Sequence, residues 1–230
     1  LSNLARREDR QNEMVEHLRH AHRLQPAPQI LGALVAALLD THQPQQALDL
    51  LRDDSQTTSQ SPVLQAQRGR ALVSLGRTED ATVAFDRAIE RVQSPQVLNA
   101  ATEQMVLAIG PERTIEQLAG QASGQRAAWV EMTMAQLHIR SHNYANALSL
   151  LEKVDSRLAS DATERLVYNR FLAIVQHETG DLEAAKTTYE RLLEANPNDL
   201  TTLNNLGFIL ANDLNDAERG LKFAARAVSL

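Results

Sequence analysis

Cysteine is missing from all 230 residues, which excludes disulfides, thiolate zinc sites, iron–sulfur clusters and a cysteine nucleophile. The signatures Gly-x-x-x-x-Gly-Lys-Ser/Thr, Gly-x-Ser-x-Gly and His-Glu-x-x-His are likewise missing, and no nucleophile–base constellation replaces them. Positive charge is in deficit, with 23 Lys+Arg against 29 Asp+Glu and a net charge of -6. That balance repels phosphate backbones and leaves no clustered basic footprint, so nucleic acid is disfavoured as the main ligand. The longest apolar run, Ile30 to Leu39, is about half of the roughly 20 residues that a membrane helix needs. No charged-then-apolar leader pattern opens the chain. The segment reads as soluble, in the cytoplasm or the periplasm, with no membrane insertion.

Aromatic residues make up only 3% of the chain, and Gly (9) and Pro (7) are few and spaced at intervals. Sustained alternation of Val, Ile, Thr and Tyr with polar residues is absent, as are Asn-Gly and Asp-Gly hairpin signals, so no strand is expected. Ala and Leu are abundant instead, which favours helix. Pro26, Pro28, Pro44, Pro62, Pro95, Pro111 and Pro197 all stand where a helix would start or a connection would run.

The helical segments repeat. Leu166 to Asp199 presents Leu172-Ala173, Gly180 at a turn, Ala185, Tyr189, Leu192-Leu193 and a closing Asn196-Pro197. Pro62 to Pro95 presents Gly69, Gly76, Ala81, Phe85 and Ala88-Ile89 in the same order. Pro28 to Ser61 follows with Leu34-Val35, His42, Ala47 and Leu51, and Ala128 to Asp161 with Met134-Ala135, His142, Ala147 and Leu151. Two antiparallel helices approach closely only where a small residue sits at the crossing, while Leu, Phe and Tyr fill the flanking gaps. This pattern resembles the tetratricopeptide repeat, whose unit of about 34 residues is the distance from Ala47 to Ala81 and from Pro28 to Pro62. The resemblance covers nearly the whole chain and implies an all-α, right-handed α-α superhelix of about six to seven helix-turn-helix repeats. Each helix pair leaves an apolar face that the next must cover, so stability grows by stacking.

The expected divisions are a partial repeat at 1-27, repeats at 28-61 and 62-95, a degenerate one at 96-127, one at 128-165 with an extended connection, one at 166-199 and a truncated one at 200-230. Gly110-Pro111 breaks the degenerate unit, whose second helix looks short, and 120-124 reads as a joint. About four extra residues between Asp161 and Leu166 lengthen a connection. The last unit, with Asn205-Leu206-Gly207, carries a turn altered by about one inserted residue. Arg10 to Leu24 reads as a second helix after the tail of a first, Leu1 to Ala5. The chain thus starts inside a repeat and stops without a capping helix, as a middle piece of a longer protein would, and its broken ends are expected to self-associate. Arg greatly outnumbers Lys, present only at Lys153, Lys186 and Lys222, which suggests a bacterial, GC-rich origin.

Histidines crowd one helix at His17, His20 and His22, and His138 with His142 has metal-pair spacing. Further ligands at matching spacing are lacking, so no metal or cofactor is expected. His142 and His42 replace the turn glycine, where His tolerates left-handed backbone, and His138 takes a half-buried aromatic slot. The acidic groups Asp53-Asp54 and Glu178 to Glu183 fall at helix ends, where capping and the helix dipole explain them. The segment therefore reads as non-catalytic. What the resemblance implies for binding is a concave groove lined by first helices. A chaperone-type carboxylate clamp needs Lys and Asn there, and the mapped positions Gln29, Gly32, Ala36, Val63, Ala66 and Arg70 hold no such pair. Polar groups reduce to Arg70, Arg140, Arg170 and Asn204-Asn205. The mapped groove instead collects Val73, Val97, Leu107, Trp129, Met132, Ile139, Val167, Ile174 and Phe208, with Trp129, Met132 and Ile139 at its centre. The expected function is a scaffold that holds a peptide or partner helix in this apolar groove. The alternative is an architectural spacer or self-assembling array that positions neighbouring domains or subunits.

Overall fold

The structure, a computed structural model, describes residues 2–158 and 163–230, and the side chains of all of these but 2–9 and 125. No strand occurs among the described residues. The helices divide between two compact units, one ending at Ser123 and the other beginning at Gly124.

The first unit contains α1 (Ser2–Leu24), α2 (Pro28–Asp40), α3 (Pro44–Asp53), the short α4 (Ser55–Gln60), α5 (Pro62–Ser74), α6 (Thr78–Glu90) and α7 (Pro95–Ala119). Pro occupies the first turn of α2, α3, α5 and α7, where a missing N–H costs nothing. Ser61 and Ser94 cap α5 and α7 through their side-chain oxygens. One detail differs from the sequence expectation. Helix α1 is continuous through residues 5–10 and is not a helix tail followed by a second helix. Helix α4 is anchored by Thr58, whose hydroxyl donates to the Leu51 carbonyl over 2.9 Å. At Gly110-Pro111, where the sequence places a break, α7 is interrupted by a kink: Gly110 takes φ 80° and ψ 167°, off the helical path, where Pro111 cannot donate.

The second unit contains a 3-10 turn (Gly124–Arg126), α8 (Ala127–Arg140), α9 (Tyr144–Asp155), α10 (Thr163–Glu178), α11 (Leu182–Ala195), α12 (Leu200–Phe208) continued by a π-helical turn (Ile209–Asp213), and α13 (Ala217–Ser229). The expected insertion before Leu166 falls partly on 159–162, outside the described residues; α10 begins at Thr163.

The helix pairs close with one device. His42, Gly76, His142, Gly180 and Asn215 all have positive φ, between 54° and 85°, and four of them form the same turn. In those four, the next N–H donates to the carbonyl five residues back: Gln43 to Leu38, Arg77 to Leu72, Asn143 to His138 and Asp181 to Gln176. In the last pair the corresponding bond, from Asp216, reaches six residues back to Leu210. The inserted residue is taken up by the π turn, which holds one residue more per turn than an α-helix.

Small residues sit where helices cross. Ala47, Ala81, Ala147 and Ala185 are all buried. A Cβ at Gly69 would lie 2.2 Å from the Phe85 ring, and one at Gly220 would lie 2.7 Å from the Gly207 carbonyl oxygen. In the first unit the core gathers Leu31, Leu34, Leu38, Leu51 and Leu64. In the second, one cluster holds Met132, Leu151, Val154 and Val175, and another Tyr189, Leu206 and Ile209.

Candidate functional site

Of the residues mapped to a groove, Val73, Val97 and Leu107 belong to the first unit and the rest to the second. Leu107 is 61% exposed on α7. Val73 lines a cavity of about 470 Å3 with Ile109, Arg113 and Gln117, beside Phe85. Val97 is half-buried one turn into α7. Two polar links tie the first helices of this unit: Arg70 donates to Asp40 Oδ1 over 2.6 Å and to Gln104 Oε1 over 3.4 Å, and Gln67 Nε2 donates to the Gly32 carbonyl over 3.0 Å. Arg70 is thereby held by its own chain.

In the second unit one member of the expected centre, Met132, lies in the core instead of at the surface. Met132 is 5% exposed and packs with Ala135, Ala147, Leu151 and Tyr168, while Trp129 and Ile139 are half-buried against the same cluster. Met132 belongs to the core because α9 and α10 both close over its face of α8. Arg140 and Val167 are exposed on α8 and α10. Arg170 pairs with Asp199 Oδ2 over 2.8 Å, and Asp199 Oδ1 accepts from the N–H of Thr201 and Thr202 to cap α12. Arg170 therefore fastens α10 to the start of α12.

Two of the mapped residues do meet. Ile174 from α10 and Phe208 from α12 line a cleft of about 270 Å3 with His177, Glu178, Tyr189, Asn204 and Asn205. Phe208 is 54% exposed. It stands at 6.2 Å from the His177 ring in an edge-to-face arrangement, which fixes the imidazole against an apolar wall. His177 Nε2 lies 3.0 Å from Asp213 Oδ2, and its Nδ1 lies 3.7 Å from Glu178 Oε1. At the floor, Asn205 Nδ2 donates to the Tyr189 hydroxyl over 3.3 Å, which orients the carboxamide. Burial raises the Tyr189 pKa, so the phenol stays protonated and can both accept this bond and donate one.

The cleft pairs an exposed aromatic with two carboxamides and the Glu178 carboxylate. Those groups can hold an apolar side chain and exchange hydrogen bonds with a peptide backbone. They offer no nucleophile aligned with a base. His177 and Asp213 were not singled out by sequence. One repeat length beyond His177 stands Ala211, and only the π turn carries Asp213 into reach. His142 makes a local contact instead: its Nδ1 stands 2.8 Å from the Tyr144 hydroxyl. His138 has its pKa lowered by burial, in keeping with a half-buried packing role. Among the described residues, no group of three or more His, Asp or Glu is placed to hold a metal ion, and no helix is long and apolar enough to cross a membrane.

Residues 171–199 match the family model described as tetratricopeptide repeat. Among solved structures, the chain is similar to one in the APC/C hetero-tetramer Cut9-Hcn1, with TM-score 0.52 and 11% identity over 95% of this chain. The match spans 43% of that protein, under half its length. It is similar to BtubC (BKLC) from P. vanneervenii, with TM-score 0.50 and 15% identity over 98% of this chain and 90% of the other. A tetratricopeptide repeat protein from Parabacteroides merdae ATCC 43184 matches at TM-score 0.48 and 16% identity, over 94% and 84%. At these identities the likeness is one of fold. Comparison with curated proteins gave no match.

Proposed function

We propose that this chain, a tetratricopeptide-repeat protein, is a non-catalytic scaffold that binds an extended peptide of a partner protein in the cleft between α10 and α12. The fold supports protein–protein interaction in general; the cleft supplies the particular reading. The observation that carries it is Phe208, an aromatic ring 54% exposed beside Ile174 and above two asparagines. A large apolar side chain left in water loses free energy that a partner's side chain would recover, and aromatic anchors ringed by polar groups are the common form of a binding hot spot. Asn204 and Asn205 can pair with the peptide's own N–H and C=O groups, while Glu178 favours a basic residue beside the apolar one. The Ile174–Phe208 pair thus takes over the anchoring role that the mapped groove gave to Trp129.

A peptide library displayed on phage and selected against the chain tests this reading. The account expects selected peptides to share an apolar residue next to Lys or Arg, and Phe208→Ala to weaken them by about 2 kcal/mol or more with the thermal transition retained. Selection that returns no binder, from a chain that self-associates instead, would favour the spacer or array alternative.

A further inference from the structure

At position seven of the repeat 62-95, where the tetratricopeptide pattern places Leu, the chain carries Arg68, and neither the core nor the peptide cleft absorbs that departure. Arg68 lines an open cavity of about 430 Å3 between α3, α4, α5 and α6. Arg52, Arg77 and Arg87 line the same cavity, so four guanidiniums share one space in a protein whose net charge is -6. Two of them are neutralised from within the chain. Arg52 lies 3.2 Å from Asp49, and Arg77 lies 2.6 Å from Asp80. Asp49, the acidic side chain among the lining residues, is further occupied by Gln45 Nε2 at 3.2 Å.

Arg68 and Arg87 differ. Neither makes a hydrogen bond or ion pair with any described residue. Arg68 is half-buried and Arg87 exposed at the rim, and a guanidinium drawn out of water without an anion, as Arg68 is, is costly. Beneath them lies Gln65, 3% exposed. Its Nε2 donates to the Thr58 carbonyl over 3.2 Å, and because a carbonyl can only accept, the amide orientation is settled. Its Oε1 is then a buried acceptor with no donor. The cavity is of small-molecule size. Arg68 and Arg70 stand two residues apart on α5, about 200° around the helix, so this cavity lies away from the face where Arg70 meets Asp40.

We infer that the cavity between α3, α4, α5 and α6 is a binding site for a small phosphate monoester bearing hydroxyl groups, held by Arg68 and Arg87. The two uncompensated charges match a dianionic phosphate, and guanidinium forks match its oxygens. The ligand's hydroxyl groups meet the polar lining of Ser55, Ser59 and Gln65.

The test is titration of the 15N-labelled chain with inorganic phosphate and with glucose 6-phosphate, against glucose and chloride at matched ionic strength. Both phosphates should give saturable shifts at the Nε–H groups of Arg68 and Arg87 and at amides of α3 to α6, with glucose 6-phosphate the tighter, and glucose and chloride should give none. Arg68→Leu restores the residue of the repeat pattern, so the fold is retained while binding weakens by about tenfold or more. Arg87→Gln should do the same, and Arg191→Gln on α11 should change nothing. The inference is overturned if the phosphates give no saturable shift, if chloride reproduces it, or if it survives Arg68→Leu and Arg87→Gln. A phosphoserine peptide that binds this cavity more tightly than glucose 6-phosphate would overturn the assignment to a small molecule.

Discussion

Single residues set how closely the helices approach. Ala81 and Ala185 are 1% and 0% exposed, so enlarging either to Leu overpacks a crossing. Each substitution should cost about 1–3 kcal/mol in a chemical denaturation experiment. Thr187, two residues from Ala185, is exposed, and Thr187→Leu should be nearly neutral. Equal losses at all three positions would show the repeat register to be misplaced. These crossing positions were legible in the sequence because the requirement is one of size at a fixed spacing. Met132 was not, because helical phase tells which face a residue lies on and not how far neighbouring helices close over it. In the stack, α9 and α10 extend the core onto the face of α8 that was assigned to the groove.

At the scale of the element, the informative features are the interruptions. Left-handed residues at the turns, His42 and His142 among them, could be read from sequence because positive φ favours few residue types. The kink in α7 could be read from Gly110-Pro111 for the same reason. At φ 80° and ψ 167°, Gly110 occupies backbone space that is strained for any residue with a Cβ. Its site has room for a methyl group, since the nearest atom to an added Cβ would be a Glu112 carboxylate oxygen at 3.8 Å. Gly110→Ala therefore isolates conformational strain and should cost about 1–3 kcal/mol in thermal or chemical unfolding. An unchanged midpoint would mean that the kink is not held in this conformation. The π turn was legible only as one residue too many. Its consequence, Asp213 facing His177, depends on how a wider turn redirects the chain, and no spacing rule conveys that.

At the scale of the whole molecule, the two units each offer a candidate site, with opposite electrostatic preferences. The first unit holds the arginine-lined space, and the second carries the cleft of Phe208, Glu178 and the two asparagines. Sequence identified Ile174, Phe208 and Asn204-Asn205 as groove residues, since all four lie on first helices at positions the repeat directs to one face. It did not separate them from Arg170, whose partner Asp199 is the last residue of the same repeat and caps α12. The central claim is that the chain grips a peptide with first-helix residues of α10 and α12. Chemical-shift mapping of the 15N-labelled chain with a library-selected peptide tests it most directly. The account predicts saturable perturbations gathered at Ile174, His177, Asn204, Asn205 and Phe208, abolished by Phe208→Ala. Perturbations confined to α9, α11 or α13, or a map unchanged by Phe208→Ala, would contradict it.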